Sequence, residues 1–547
     1  MITLTSNIGF AILRLKVKRF TKSKRNESGD IVRMRGKIKN ITPAILVAMS
    51  LFMTACSGSD IPSQETNRDS GIIEGAAAET AIETETEAET ETADAGNESE
   101  PAVEEEAEET VVRYQPEWTK DAVIYEVNVR QYTEEGTFQA FSDHLQELKD
   151  MGITTLWFMP IYPISETKRS GVLGSYYSIT DYRAVNPEFG TDEDFAALVA
   201  EAHDMGFHVM LDWVANHTGW DCAWITEHPD WYTQDEQGSI ISPEGMGWPD
   251  VADLNYDNSD MRAEMIDCMK YWVEEYDIDG FRCDFANGVP LDFWEDARAQ
   301  LEEIKPLYML AEDNLVKELL DSAFDMNYNW GLYDAMLEVA KDNKKADKLK
   351  IYIPDNFPDG TYTLNFLDNH DKNSYERTIM EGFGTDSLPA MFSFIYTIPG
   401  APLVYTGDEI GLDHKIAFME KDTVDWESSD YSYRELLARL GEIRSGNPAL
   451  YCGNYGGGIN YYETDNKNIL AFYRQNGDNC IKCIYNLSKR EQTIDVSEII
   501  DGTETVLLHG QGGEEPRMED YPVSEDGLDG EVTLQPWEFW IISGKEG

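Results

Sequence analysis

The chain has 547 residues, 41% of them hydrophobic, so it is long enough for more than one domain and for a sizeable core. Its formal net charge of −59 argues against nucleic acid as a partner, because nucleic acid is itself an anion. Seven cysteines are too sparse to indicate a disulfide scaffold, and Cys480 and Cys483 have no second pair with which to form a zinc site.

The first 56 residues have the pattern of a bacterial lipoprotein signal. Residues 34–39 are basic, residues 41–53 form an apolar run that is short for a transmembrane helix, and small residues then precede Cys56. We predict that Met34 is the true start, that residues 1–56 are the signal segment and that Cys56 carries the lipid. The protein would then be exported and lipid-anchored at the bacterial cell envelope or cell surface. A plain secretory signal and an uncleaved anchor are the alternatives.

The composition of residues 57–115 predicts a disordered acidic linker. Between residues 57 and 112, eighteen acidic residues face one basic residue, Arg68, with threonine and alanine interleaved. Such a segment cannot bury enough apolar surface to fold, and its charges repel each other. A specific binding function for the acidic stretch is the alternative.

From residue 116 onward, apolar runs typical of strands alternate with segments of helical spacing, which predicts a parallel sheet. Strands are predicted at residues 122–129, 152–160, 308–312, 323–327, 361–367 and 402–405. Helices are predicted at residues 138–151, 192–205, 261–276, 291–304, 330–341, 387–398 and 432–445. After about residue 452 the runs become short and alternating, which predicts a C-terminal antiparallel β-sandwich over residues 451–547.

Several apolar runs end in polar side chains that a buried strand could not hold without partners. These side chains are Asp212, Asn216, His217, Arg282, Asp284, Glu312, Asp368, Asn369, His370 and Asp371. Polar groups at the carboxyl ends of successive strands are where a (β/α)8 barrel builds its active site. The predicted fold class is therefore α/β, with a (β/α)8 TIM barrel over residues 116–450. For Arg282 and Asp284 taken alone, an ion pair that only locks the strand end is the alternative.

The motifs resemble those of the α-amylase family of retaining glycosidases, glycoside hydrolase family 13, from about residue 118 to the C-terminus. Four motifs occur in that family's order: Asp212-x-x-x-Asn-His217, Gly280-Phe-Arg-x-Asp284, Glu312 and Asn369-His-Asp371. The resemblance implies that Asp284 is the nucleophile, Glu312 the general acid/base and Asp371 the third carboxylate. It also implies a set of residues that bind the nucleophile or the sugar at the cleavage point, namely Asp212, His217, Arg282 and His370.

Two loops extend the resemblance. Tyr177 matches the family's tyrosine that stacks on the sugar at the cleavage site, with packing of its loop as the alternative. Residues 217–258 match the inserted domain B, and Asp253 matches its signature. Long ordered loops at this face of a barrel are usually functional, and flat aromatic rings suit the apolar faces of glucose. The aromatic residues of this connection are Trp220, Trp224, Trp231, Tyr232 and Trp248.

Cleavage with retention needs one carboxylate that attacks the anomeric carbon and one protonated carboxyl that assists the leaving oxygen. We expect Arg282 to depress the pKa of Asp284, and a drier site near other carboxylates to raise the pKa of Glu312. Many family members hold calcium between the barrel and domain B, through an asparagine matched by Asn216 and a histidine where this chain has Gly288. We therefore predict no cofactor and no essential metal, with a calcium ion as the alternative.

The resemblance implies a hydrolase that cleaves α-glucosidic bonds in starch, maltodextrin or related α-glucans through a covalent glycosyl-enzyme intermediate. An α-glucan transglycosylase, a cyclomaltodextrinase or a disaccharide-directed member of the family would share every catalytic residue. A non-catalytic glycan-binding lipoprotein is the alternative of another class, and it predicts a missing carboxylate. All three carboxylates are present in the sequence.

Overall fold

The computed structural model describes residues 115–314, 316–353, 360–429, 432–500, 504–512 and 530–544. Cys56, the predicted signal segment and the predicted linker up to residue 114 lie outside the described residues. Within these described ranges, no helix combines the length and the apolar character that crossing a membrane requires.

Eight of the described strands form a closed barrel in which every neighbouring pair is parallel. They are β1 (Ile124–Val127), β2 (Thr155–Phe158), β3 (His208–Trp213), β6 (Gly280–Cys283), β7 (Tyr308–Ala311), β8 (Met326–Tyr328), β9 (Tyr362–Asn365) and β10 (Ala401–Tyr405). Their order around the barrel is their order along the chain. Every residue of these strands is buried except His208, as expected for strands with packed side chains inside and helices outside. The predicted (β/α)8 barrel is confirmed.

Helices connect the barrel strands. They are α1 (Val129–Tyr132), α2 (Phe138–Ser142), α3 (Leu145–Asp150), α4 (Asp192–Asp204), α5 (Trp224–Glu227), α6 (Ser259–Tyr276), α7 (Leu291–Glu302), α8 (Glu318–Ser322), α9 (Trp330–Ala340), α10 (Ile379–Thr397) and α11 (Arg434–Gly446). Short 3-10 helices lie at Glu117–Asp121, Pro229–Trp231, Ala286–Gly288, Ala346–Tyr352, Asp408–Ile410, Pro448–Leu450 and Gly453–Tyr455, with a π-helix at Lys372–Glu376.

Two helix predictions need correction. The helix predicted over residues 138–151 is divided into α2 and α3, because the His144 amide donates to the Phe141 carbonyl, a three-residue step that interrupts the α-helical pattern. The helix predicted over residues 387–398 begins earlier, at Ile379. Gly384, at φ +70°, kinks it, and glycine adopts this left-handed backbone without steric cost.

The insertion between β3 and α6 contains two short antiparallel strands, β4 (His217–Gly219) and β5 (Val251–Asp253), as well as α5. Trp231 and Tyr232 are buried within it, and the Tyr232 hydroxyl lies 2.9 Å from the Thr218 hydroxyl. Trp224 stacks on Tyr182 with ring centroids 5.4 Å apart. These three aromatic rings therefore pack the insertion.

Antiparallel sheets follow the barrel. One has the strand order β11 (Ile459–Tyr461), β12 (Ile469–Asn476), β13 (Asn479–Asn486), β17 (Phe539–Gly544) and β15 (Thr505–Gly510); β14 (Gln492–Asp495) pairs with β16 (Glu531–Leu534). Buried Arg474 of β12 donates to the carbonyl oxygens of Thr397 and Leu450, which fixes the larger sheet to the barrel. The predicted antiparallel C-terminal architecture is confirmed.

Candidate active site

The site is organised around Arg282 of β6, whose side chain is fully buried. Its Nη1 lies 3.0 Å from Asp212 Oδ1 and 2.9 Å from Asp284 Oδ1. Its Nη2 lies 3.0 Å from Glu312 Oε2, an ion pair that lacks the geometry of a hydrogen bond. Its Nε donates to the Tyr328 hydroxyl at 3.3 Å. One guanidinium therefore contacts three carboxylates.

The register of the barrel brings these groups together. Asp212 of β3 is the direct neighbour of Arg282 on β6, and the Glu312 amide donates to the carbonyl of Cys283, the last residue of β6. Asp212 is fully buried, whereas the side chains of Asp284 and Glu312 are 13% and 19% exposed. Arg282 and Asp212 thus form the floor of the site. The carboxylates of Asp284 and Glu312 are partly exposed to solvent at the carboxyl ends of their strands.

A second group of side chains joins the first through Tyr177. The Tyr177 hydroxyl lies 3.1 Å from Asp212 Oδ2 and 2.9 Å from His370 Nε2. His370 Nε2 also lies 3.6 Å from Asp371 Oδ1, and the Asp371 side chain is 42% exposed. The half-buried Tyr177 ring lies parallel to Phe418, with centroids 6.1 Å apart. Tyr177, Asp212, His370 and Asp371 therefore share one network with Arg282.

His217, on β4, reaches the site through the Tyr177 loop, whose backbone it contacts. Burial lowers its pKa to about 4, so it is neutral at neutral pH. Trp248 lies 5.5 Å from the His217 ring and 5.6 Å from the ring of Phe285, the residue after Asp284. Trp248 therefore borders the site. Trp220 has a different partner, since the Nζ of Lys168 lies 3.2 Å from the centre of its ring.

The charge states of the carboxylates follow from burial. The expectation that Arg282 depresses the pKa of Asp284 is wrong: burial raises this pKa to about 6 against the opposing guanidinium, and the charge of Asp212 adds to the rise. Burial likewise raises the pKa of Glu312 to about 7, which confirms the expected direction, and the pKa of Asp212 to about 6. Arg282 opposes both of these shifts as well. The expected order of the two pKa values holds, because Glu312 keeps its proton to a higher pH than Asp284 does.

The residues at the position of the family's calcium ligands do not fit that ion. Asn216 Nδ2 contacts His217 Nδ1 at 3.2 Å. A β-carbon at Gly288 would lie 2.3 Å from the Phe285 ring and 2.9 Å from Asn216 Oδ1, so this position has neither a ligand nor room for one. Among the residues that the structure describes, no three Asp, Glu, His or Cys side chains gather as metal ligands would. The absence of an essential calcium ion stays a prediction.

Several residues of the site were not identified from the sequence. Glu126 of β1 contacts His370 Nδ1 and is fully buried. Trp157 of β2 donates from Nε1 to Asp212 Oδ2 at 3.2 Å, and the Phe285 amide donates to Glu312 Oε2 at 2.9 Å. A signal for Glu126 was available, since a carboxylate inside the apolar run AVIYEVNV needs a buried partner.

The arrangement suits a reaction that needs an ionised and a protonated carboxyl side by side. Between the pKa values of Asp284 and Glu312, the first is mainly ionised and the second mainly protonated. Arg282 links the two and is fully buried, so its charge acts through little water.

Comparisons with known proteins agree with this geometry. The α-amylase catalytic-domain model matches residues 89–242 and 246–442, and so begins inside the segment predicted to be a linker. The chain is 26% identical over 411 residues to α-amylase MalA of Haloarcula japonica, a match that covers 72% of this chain but only 59% of that relative.

Solved structures give the same result. A crystal structure of an α-amylase from Lactobacillus plantarum and one of a maltogenic α-amylase from Thermotoga neapolitana each match with a TM-score of 0.68 and 28% identity. Each match covers 78% of this chain and 99% of the solved chain. With the family model matching more than half of the sequence, the chain belongs to the α-amylase family of hydrolases, glycoside hydrolase family 13.

Proposed function

We propose that the protein is a retaining hydrolase of α-glucosidic bonds in starch, maltodextrin or related α-glucans. The observation that carries this proposal is the contact of one buried guanidinium, Arg282, with Asp284 and Glu312, whose pKa values burial raises to about 6 and about 7. A retaining glycosidase needs this division between an ionised nucleophile and a protonated acid.

The roles follow from the charge states. Asp284 attacks the anomeric carbon while Glu312 gives its proton to the leaving oxygen, and a glycosyl-enzyme ester forms. Glu312, now ionised, takes a proton from water, and that water attacks the anomeric carbon and releases Asp284. Asp371 and His370 bind sugar hydroxyls, with hydrogen bonds that strengthen as positive charge develops at the anomeric carbon, and Tyr177 stacks on the sugar ring.

The test is a product analysis of the pure protein with starch, maltotriose, cyclodextrin, pullulan and sucrose. We expect cleavage of at least one α-glucan, and NMR of the fresh product should show the α-anomer before mutarotation. Products resolved by chain length separate endo-acting hydrolysis from maltose release and from transfer. Turnover that yields the β-anomer, or no turnover on any of these substrates, would contradict the proposal.

We further propose that the protein is exported and held at the cell envelope by a lipid on Cys56. The basic, apolar and small-residue order of residues 34–56 supports this proposal. Replacing Cys56 by Ser should abolish labelling by a radioactive fatty acid and release the protein from membranes. Labelling that persists in Cys56→Ser would contradict lipid attachment at this residue.

A further inference from the structure

We propose that Glu126 is a positioning residue that holds His370 as a doubly protonated imidazolium, with its Nε2–H directed at Tyr177 and Asp371. The proposal extends the catalytic roles given above, because His370 then keeps a positive charge and an Nε2–H beside Tyr177 and Asp371. Glu126 lies on β1, on the opposite side of His370 from Tyr177, since it contacts Nδ1 whereas Tyr177 contacts Nε2.

The hydrogen-bond chain requires a proton on Nε2. Asp212 accepts from Arg282 through both oxygens, so it is an ionised acceptor in this network. The Tyr177 hydroxyl has one proton, and it donates this proton to Asp212 Oδ2. Its oxygen can then only accept from His370 Nε2, 2.9 Å away, so Nε2 carries a hydrogen.

The burial of Glu126 favours a proton on Nδ1. Glu126 is fully buried, and within the described part of the chain its Oε2 has no hydrogen-bond partner. A carboxylate in this position is costly unless a cation faces it, and His370 Nδ1 is the group that its Oε1 contacts. With both nitrogens protonated, His370 is that cation.

The net effect of the charged groups around His370 favours the imidazolium. Asp371, the next residue, and Glu126 of β1 raise the pKa of His370, while its burial and Arg282 of β6 lower it; the net result is a pKa of about 9. In turn, the charge of His370 lowers the pKa of Asp212 on β3. His370 therefore stays charged over the pH range in which Asp284 and Glu312 titrate.

The direct test is NMR of the full chain labelled with 15N-histidine. Eight histidines give few enough signals to assign, and His370→Asn identifies the signal of His370 by its loss. Between about pH 6 and pH 8 we expect both ring nitrogens of His370 to be protonated in the wild type. In Glu126→Gln the ring should become neutral at least one pH unit earlier. A neutral His370 in the wild type at pH 7 would overturn the proposal, whether or not the variant folds.

Glu409→Gln is a matched control. Glu409 is also fully buried near the carboxyl end of a barrel strand, but its side chain accepts from the Tyr125 hydroxyl and the Gly407 amide. The Glu409 substitution should leave the titration of His370 unchanged. If it shifts that titration as far as Glu126→Gln does, the effect is one of packing and the proposal fails.

Kinetics give a second readout. We expect Glu126→Gln to lower kcat/KM on an α-glucan about 10- to 100-fold, the range known for removing the partner that orients a metal-binding histidine. Because Glu126 acts through His370, the double variant with His370→Asn should be no slower than His370→Asn alone. Multiplicative losses would overturn the proposal. A protein without activity on α-glucans would contradict the proposed function, while the NMR result would still decide the role of Glu126.

Discussion

β6 has an aspartate at each end, Asp279 directly before its first residue and Asp284 directly after its last. At the amino end, Asp279 accepts from His203 Nε2 and the Val209 amide, both at 2.9 Å, and from Lys305 Nζ at 3.1 Å. Burial opposes the charge of Asp279, but these donors outweigh it and hold its pKa well below the usual range.

At the carboxyl end of β6, burial outweighs the hydrogen-bond donors. Burial raises the pKa of Asp284 to about 6, and Arg282 does not offset this rise because it also faces Asp212 and Glu312. One strand thus carries a carboxylate stabilised by surplus donors at one end and a carboxylate short of donors at the other. In (β/α)8 barrels the amino end serves stability and the carboxyl end serves catalysis, and these two aspartates show the physical difference.

Removing Asp284 should have the largest effect. We expect Asp284→Ala to lower kcat on starch by about four to six decades, since no covalent intermediate can form. The melting temperature should stay the same or rise, because the raised pKa means that this charge is less favourable in the folded state than in the unfolded one. Residual activity above a hundredth of the wild type would contradict the assignment of Asp284 as nucleophile.

Glu312→Ala should separate the acid from the nucleophile. On starch we expect a loss of about two to four decades, the usual contribution of a positioned general acid. A glucosyl fluoride needs little protonation, so bond cleavage should persist on it, and azide should speed turnover by replacing the step that needs a base. Asp371→Asn should be slow on both substrates without rescue. If Glu312→Ala gave the inverted glycosyl azide and Asp284→Ala the retained one, the two roles would have to be exchanged.

The pH profile should report the raised pKa values of the carboxyl end. Activity on starch requires Asp284 ionised and Glu312 protonated, so kcat/KM should fall below about pH 6 and above about pH 7. Each limb should approach a tenfold loss per pH unit. On a glucosyl fluoride the alkaline limb should move to higher pH, because protonation of the leaving group is no longer needed. An unchanged alkaline limb would assign that limb to a group other than Glu312.

Much of the site could be predicted from the sequence because its polar residues stand at the ends of apolar segments. A run that ends in Arg282 and Asp284 or in Glu312 places those groups at the edge of a parallel sheet, and the closed barrel then brings the edges together. The charge state of Asp284 could not be predicted in this way. It depends first on burial and then on Asp212, 72 positions earlier, which competes for the same guanidinium nitrogen.

Other features of the fold and the site depend on contacts that the sequence alone does not show. The five aromatic residues of the insertion look alike in the sequence, yet Trp231 is buried and Trp248 borders the site. The division between α2 and α3 rests on one backbone hydrogen bond at His144. Asp279, directly before the Gly280–Asp284 motif, was not identified from the sequence, because its donors come from α4, β3 and the segment before β7.

Asp279→Asn should lower stability and preserve activity, the opposite of the result expected for Asp284→Ala. The substitution removes the charge that faces His203 and Lys305, and breaking a buried ion pair costs about 3 kcal/mol of unfolding free energy. The melting temperature should fall by several degrees while kcat/KM of the folded enzyme stays within about twofold of the wild type. Asp267→Asn is the control, since Asp267 is 59% exposed and pairs only at 3.6 Å with Lys270. A large loss of activity at unchanged stability would contradict this division between the two ends of the barrel.

His203→Gln should have the smallest effect, and its dependence on pH is the informative part. The hydrogen bond to Asp279 raises the pKa of His203 against partial burial, and the charge of Asp277 supports the rise while Lys305 opposes it. A raised pKa means that the stabilisation is fully present below the unfolded value of about 6.5 and is lost as the pH rises through the folded value. The difference in melting temperature between wild type and His203→Gln should therefore be largest near pH 6 and shrink as the pH rises. His144→Gln, which removes a partly exposed histidine 3.4 Å from Glu147, is the control for the loss of a histidine that does not contact Asp279. A difference that grows with pH would show that Asp279 does not stabilise the charged form of His203.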